Sequence, residues 1–120
     1  MRIEKLSPAY KDYLWGGNRL KEVFGKNSEL EITAESWELY VHPDGESTIS
    51  GGENDGLKLS EYINNHGKSI LGEKAGDFEY FPVLIKFIDA RLPLSVQVHP
   101  SDEYALKNEN SYGKTEMWYI

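Results

Sequence analysis

The sequence predicts a mainly β protein, a β-sandwich or jelly roll with a few short helices, and three observations carry that expectation. Apolar and polar residues alternate over several short runs, the pattern of strands with one buried face. Clusters of Gly, Pro, Asn and Asp break those runs at short intervals, as turns do. Only one stretch spaces its apolar residues like a helix long enough to pack on a sheet.

The elements follow in order. Residues 1–6 alternate weakly and read as an edge strand. Trp15-Gly16-Gly17 interrupts the chain, and Asn18 is placed to cap a short helix over residues 19–24, closed by Gly25. Over residues 31–41, Ile32, Trp37, Leu39 and Val41 are interleaved with polar residues, so a strand is expected. His42-Pro43-Asp44-Gly45 is a turn by composition, and residues 47–50 return as a short strand to Gly51-Gly52. The clear helix comes next, with Ser60 as N-cap and Glu61 in the first turn. Leu59, Tyr62, Ile63, Ile70 and Leu71 give it an imperfect apolar face, Gly67 interrupts it and Gly72 stops it.

Val83, Leu84, Ile85, Phe87 and Ile88 form a nearly continuous apolar strand, and Arg91-Leu92-Pro93 turns the chain. Leu94, Val96 and Val98 then alternate with Ser95, Gln97 and His99. Ser101 caps a short helix through Leu106, and residues 108–113 form a loop. Residues 115–120 begin another strand that ends on Ile120 without turn, cap or polar tail, the pattern of a chain cut inside a sheet and of a piece of something longer.

The 120 residues suffice for one modest domain, and no repeat, low-complexity tract or linker divides them. No apolar run reaches the roughly 18 residues of a membrane helix. The longest, residues 81–98, is broken by Lys86, Asp89, Arg91 and two prolines, so no membrane partner is expected. The first residues lack the apolar segment of a secretory signal, and a cytoplasmic location is expected. Cysteine is absent, which excludes disulfides and thiolate metal sites. A net charge of −7 repels a phosphate backbone, so no nucleic-acid partner is expected. A small phosphorylated ligand needs only a local cluster of Lys and Arg.

The chemistry concentrates in Leu94-Ser95-Val96-Gln97-Val98-His99-Pro100. On a strand, Ser95, Gln97 and His99 project to one face, about 7 Å apart in sequence along it, and Leu94, Val96 and Val98 to the other. An amide oxygen and an imidazole that lean together suit one metal ion, and zinc takes both donor types. Glu116, within Gly113-Lys114-Thr115-Glu116-Met117-Trp118-Tyr119, is the third candidate ligand. The intervening helix and loop are long enough to bring a neighbouring strand alongside. Three ligands with an open position suit a catalytic zinc. Taken alone, a Gln-x-His on a strand face is more often a polar surface row than a metal site, and spacing does not separate zinc from other divalent ions at a nitrogen/oxygen site.

These segments resemble a known family. Pro82-Val83-Leu84-Ile85-Lys86, then the segment from Leu94 to Pro100, then that from Gly113 to Tyr119 are similar to three successive signatures of the type I phosphomannose isomerases, in the family's order. Tyr13-Leu14-Trp15-Gly16-Gly17 resembles its N-terminal Trp-Gly motif. Glu35-Ser36-Trp37-Glu38-Leu39 followed by His42-Pro43-Asp44-Gly45 resembles the bacterial form of another.

The resemblance implies a partial cupin-like jelly roll over residues 1–120, the N-terminal portion of a catalytic domain. It implies zinc bound by Gln97, His99 and Glu116, with a fourth ligand, His, and a catalytic Arg further downstream. No His follows His99 here, so the site is incomplete without the C-terminal portion of the same protein. The implied reaction interconverts mannose 6-phosphate and fructose 6-phosphate through an enediol. Lys114, two positions before Glu116 and on the same strand face, is the in-chain candidate for stabilising the enediolate or moving protons between oxygens; the alternative is a solvated lysine at a strand start. Lys86, costly among apolar neighbours unless it is paired or lines a cavity, is implied to face the substrate. Ser95 is placed to hydrogen-bond sugar or phosphate, or is an ordinary strand serine. Trp15 walls the sugar pocket or packs in the core. His42 assists ring opening or is a surface turn residue, and His66 has no assigned role. The competing functional readings are a non-catalytic cupin-like module that binds sugar phosphate or regulates, and a plain β-domain for protein interaction.

Overall fold

A computed structural model describes residues 3–120. The first two residues of the expected strand over 1–6 lie outside the described residues, and the chain is first paired at β1, Leu6–Ser7. Two small antiparallel sheets form the framework. In one, β1 pairs with β4, Thr48–Ile49, with Leu6 opposite Ile49. The other has the order β2–β3–β5, with β2 at Ala9–Lys11, β3 at Glu35–Leu39 and β5 at Ile85–Ile88. Trp37 stands opposite Ala9 on one side and Lys86 on the other, and the β3–β5 register slips between Trp37 and Leu39. The fold class is the expected one: a sheet framework carrying short helices.

The main core sits between the small sheet and a helix. Ile49, Leu59 and Ile63 are its buried centre, surrounded by Leu6, Leu39, Val41, Leu57, Tyr62 and Phe81. Leu59 and Ile63 lie four apart on α2, Leu59–His66, and so share one helix face. That helix starts before the expected cap at Ser60, because acidic residues satisfy its first N–H groups. The Ser60 amide donates to Glu46 Oε1 at 2.6 Å, and the Lys58 amide to Glu61 Oε2 at 2.9 Å. The helix stops at Gly67, whose φ of 82° suits glycine. The remainder of the expected helix is instead 3-10 turn at Lys68–Leu71 and Glu73–Asp77.

A second buried knot holds the N-terminal loop to the three-stranded sheet. Helix α1, Arg19–Glu22, buries Leu20, and Thr33, whose amide donates to the Gly17 carbonyl at 3.1 Å, and Ala34 are buried as well. Asn18 takes the N-cap position as expected, but its side chain makes no cap hydrogen bond and its buried Oδ1 has no partner; the Arg19 amide donates to Asp89 Oδ2 at 2.7 Å. At Gly16 a Cβ would lie 2.2 Å from the Ala34 Cβ, so only glycine permits this approach.

The expected strands at residues 94–99 and 115–120 do not form: neither segment enters a ladder among the described residues. Alternation can orient side chains, but a strand also needs a neighbour to take its N–H and C=O groups. Neither run has one. The helix between them, α3 at Asp102–Asn108, forms as expected, with Ser101 Oγ accepting from the Tyr104 amide, and runs two residues past Leu106.

Candidate metal centre

The two chemistry-bearing segments meet because of a close backbone contact. Gly113 crosses the turn before α3, where a Cβ would lie 2.4 Å from the Pro100 carbonyl oxygen. Its amide donates to Asp102 Oδ1 at 2.9 Å. That crossing sets residues 114–118 beside His99. His99 Nε2 lies 3.0 Å from Glu116 Oε2, and Lys114 Nζ lies 2.5 Å from Glu116 Oε1. Trp118 Nε1 donates to Glu116 Oε2 at 3.1 Å. The Lys114 hydrogen bond, and then the Trp118 N–H and the charges of Lys114 and His99, hold the Glu116 carboxyl at about 2 against the opposing effect of burial.

This pair fits a metal. Two donors each about 2.1 Å from a tetrahedral zinc are about 3.4 Å apart, and the His99–Glu116 separation is within half an ångström of that. Glu116 is anionic and His99 offers a ring nitrogen, the donor chemistry zinc accepts. Gln97 is on the same side as Ser95, as alternation predicted: its Nε2 donates to Ser95 Oγ at 3.3 Å. That contact leaves the amide oxygen available as a donor. Among the described residues no group of three or more His, Cys, Asp or Glu side chains is gathered.

Lys86 stands in a second group. Its Nζ lies 2.8 Å from Glu35 Oε1 across the β3–β5 ladder, and Trp37 Nε1 donates to Glu35 Oε2 at 2.6 Å. Glu35 is only 4% exposed, and sequence reasoning passed over it as a site residue. The signal was present: an acid two positions from a strand Trp shares its face, and an inward lysine in the next apolar strand requires a counter-charge.

Trp15 stacks on Tyr13 with ring centroids 5.4 Å apart, and its carbonyl accepts from the Arg91 and Leu92 amides. Burial and the carboxylates of Glu35, Asp44 and Asp12 push the Tyr13 phenol up, which places this stack in the field of Glu35. No hydrogen bond or ion pair joins the Lys86–Glu35 group to the His99–Glu116 group among the described residues. His42 takes the turn role: it stacks on Tyr40, and its Nδ1 accepts from the Asp44 amide at 3.2 Å. His66 lies against Tyr62 on its own helix.

A cupin-like β framework that presents an imidazole, a carboxylate and a lysine from adjacent segments has the form of a cupin-type enzyme domain. The chain belongs to the family of the phosphomannose isomerase type I catalytic domain, whose sequence profile matches residues 3–117. It is 41% identical to the probable mannose-6-phosphate isomerase GmuF of Bacillus subtilis over 96% of this chain and 36% of that protein. A crystal structure of mannose 6-phosphate isomerase from Bacillus subtilis superposes with a TM-score of 0.78 at 35% identity, over 92% of this chain and 34% of that one. A mannose 6-phosphate isomerase bound with zinc and yttrium superposes at 0.74 with 33% identity, over 92% of this chain and 29% of that one. The chain thus spans about a third of the length of the relatives it matches. No helix among the described residues is long and apolar enough to cross a membrane.

Proposed function

We propose that this chain is the N-terminal, metal-binding portion of a zinc-dependent aldose–ketose isomerase interconverting mannose 6-phosphate and fructose 6-phosphate. The observation that carries the reading is the convergence of His99, Lys114 and Glu116, with Glu116 2.5 Å from Lys114 and 3.0 Å from His99. His99 Nε2, Glu116 and the Gln97 amide oxygen would hold the zinc. When bound, zinc supplies Lewis-acid stabilisation of the negative charge that develops on the sugar oxygens.

The chain's own residues do the rest of what these 120 residues contribute. Glu116, with its carboxyl at about 2, stays ionised at neutral pH and is always available as an anionic donor. Ser95 fixes the Gln97 amide by accepting from its Nε2, and its hydroxyl donates to the sugar or phosphate. Lys114 brings an ammonium beside the same carboxylate, where it stabilises the enediolate and passes protons between O1 and O2. In the aldose-to-ketose direction a proton leaves C2 and is returned to C1, while O1 gains a proton and O2 loses one. The carbon-to-carbon transfer needs a positioned acid/base, which the rest of the protein supplies together with the remaining zinc ligand. Lys86, held by Glu35, binds the anionic substrate, and Trp15 on Tyr13 covers an apolar sugar face. A cytoplasmic setting accords with a phosphorylated substrate, whose charge keeps it from crossing a bilayer.

Metal analysis of the purified chain tests the reading. Stoichiometric zinc is expected, lost in His99→Ala and in Glu116→Gln. Zinc uptake indifferent to both substitutions, or metal-independent isomerase activity in the complete protein, overturns it. Sugar-phosphate binding without turnover by the complete protein would favour a regulatory module instead.

A further inference from the structure

The loop that carries Tyr13 and Trp15 is fastened to the stretch of chain between Lys86 and the metal-ligand segment. The Gly16 amide closes a tight turn on the Tyr13 carbonyl at 2.9 Å, and the Tyr13 and Trp15 rings stack at that turn. Gly16 bridges Ala90, and the Gly17 amide donates to the Asp89 carbonyl at 3.1 Å. The Trp15 carbonyl accepts from the Arg91 and Leu92 amides at 2.9 and 3.0 Å. Residues 89–92 follow β5, which carries Lys86, and lead into residues 94–99, which carry Gln97 and His99.

These ties meet at Asp89. Its amide donates to the Ala34 carbonyl at 2.8 Å, its carbonyl takes Gly17, and its carboxylate takes the Arg19 amide at 2.7 Å. The residue is 8% exposed. Burying a carboxylate is costly without hydrogen bonds in place of water, and a bond to a charged acceptor is about twice as strong as a neutral one. The carboxylate also packs on the Gly17 backbone, where a Cβ would lie 2.6 Å from Asp89 Oδ2. Ala34 blocks the loop at Gly16 in the same way. The backbone ties suit almost any sequence; the carboxylate is the part of the clamp that the side chain at position 89 supplies.

We propose that Asp89 is a positioning residue for the isomerase site. Through the Arg19 amide and Gly17, its carboxylate fixes the Trp15 ring at a set place relative to Lys86 and the zinc ligands. The inference rests on the reading given under Proposed function, in which Trp15 covers a sugar face. Asp89 touches no reacting atom and acts through Trp15, so it governs how tightly the sugar phosphate is held rather than the proton transfers. Losing a contact made equally in the ground and transition states raises KM and leaves kcat unchanged.

Steady-state kinetics of the complete protein and hydrogen exchange of this chain test the inference together. Asp89→Ala is expected to raise KM for fructose 6-phosphate about tenfold, the upper end of what one aromatic contact contributes, with kcat per bound zinc unchanged. Asp89→Asn keeps an oxygen for the Arg19 amide and is expected to restore most of the loss. Gly17→Ala drives the carboxylate away without removing it and is expected to match Asp89→Ala, which covers the case of an Asp89→Ala protein that does not fold. In a Trp15→Ala background, where KM is already raised, Asp89→Ala is expected to add nothing. A residue that only stabilised the fold would instead lower the active fraction at unchanged KM. In this chain the Arg91 and Leu92 amides are expected to exchange at least about tenfold faster in Asp89→Ala, and not in Asp89→Asn. Unchanged KM in both Asp89→Ala and Gly17→Ala, additive effects with Trp15→Ala, or unchanged exchange overturns the inference. A KM raised by Trp15→Ala but not by Asp89→Ala sinks the positioning role alone and leaves the isomerase reading standing. Absence of turnover in the unmodified complete protein overturns both.

Discussion

Replacing Lys114 by Met should raise the titration midpoint of Glu116. The carboxyl lies at about 2 rather than 4.5, and the Lys114 hydrogen bond is the largest cause. The depression corresponds to about 3 kcal/mol in favour of the ionised form; with Lys114 47% exposed, solvent screening reduces the recoverable part to roughly 2 kcal/mol. The sign follows from linkage. A folded-state value below the unfolded one gives stability that is complete above about pH 4.5 and is lost as pH falls through 2. That stability holds residues 114–118 against His99. Lys114→Met removes the ammonium and leaves the Trp118 and His99 contacts, so the midpoint should climb by at least about 1 pH unit, or 1.4 kcal/mol. Carbon-detected NMR of labelled glutamate carboxyls reads it directly, and the Trp118 indole N–H should report the same transition. A midpoint near 4.5 in the unmodified chain, or an unchanged midpoint in Lys114→Met, refutes the clasp.

Two further substitutions probe the framework. Glu35→Ala strands the Lys86 ammonium and the Trp37 N–H against a buried site, and should cost about 3 kcal/mol in urea unfolding; Glu35→Gln, which keeps one acceptor oxygen for one of the two donors, should cost less. Ile49→Ala opens a cavity in the main core and should cost about 2–5 kcal/mol, while Val96→Ala, on an exposed side chain, should change the same measurement by less than about 0.5 kcal/mol. Equal effects at positions 49 and 96 would contradict the assigned burial.

What the sequence made legible was direction, and what it hid was partnership. Alternation over residues 94–99 correctly set Ser95 and Gln97 on one side, and the Ser101 cap was readable because its acceptor and donor lie three residues apart. Asn18 holds the N-cap position without a side-chain cap bond, and the first helical amide, Arg19, is taken by Asp89, 70 residues away. The Ser60 start failed for the same reason, with Glu46 as the distant acid. Lys86 sits between these cases: its apolar neighbours demanded a counter-charge, but only the β3–β5 register identifies Glu35 as the one that meets it. The missing strands extend this logic. A period-two pattern specifies which side chains are to be buried, not what buries them, so residues 94–99 and 115–120 keep the pattern of strands while entering no ladder among the described residues. The metal centre inherits that condition, since His99 and Glu116 are held together by one short crossing at Gly113 and by each other, not by a sheet.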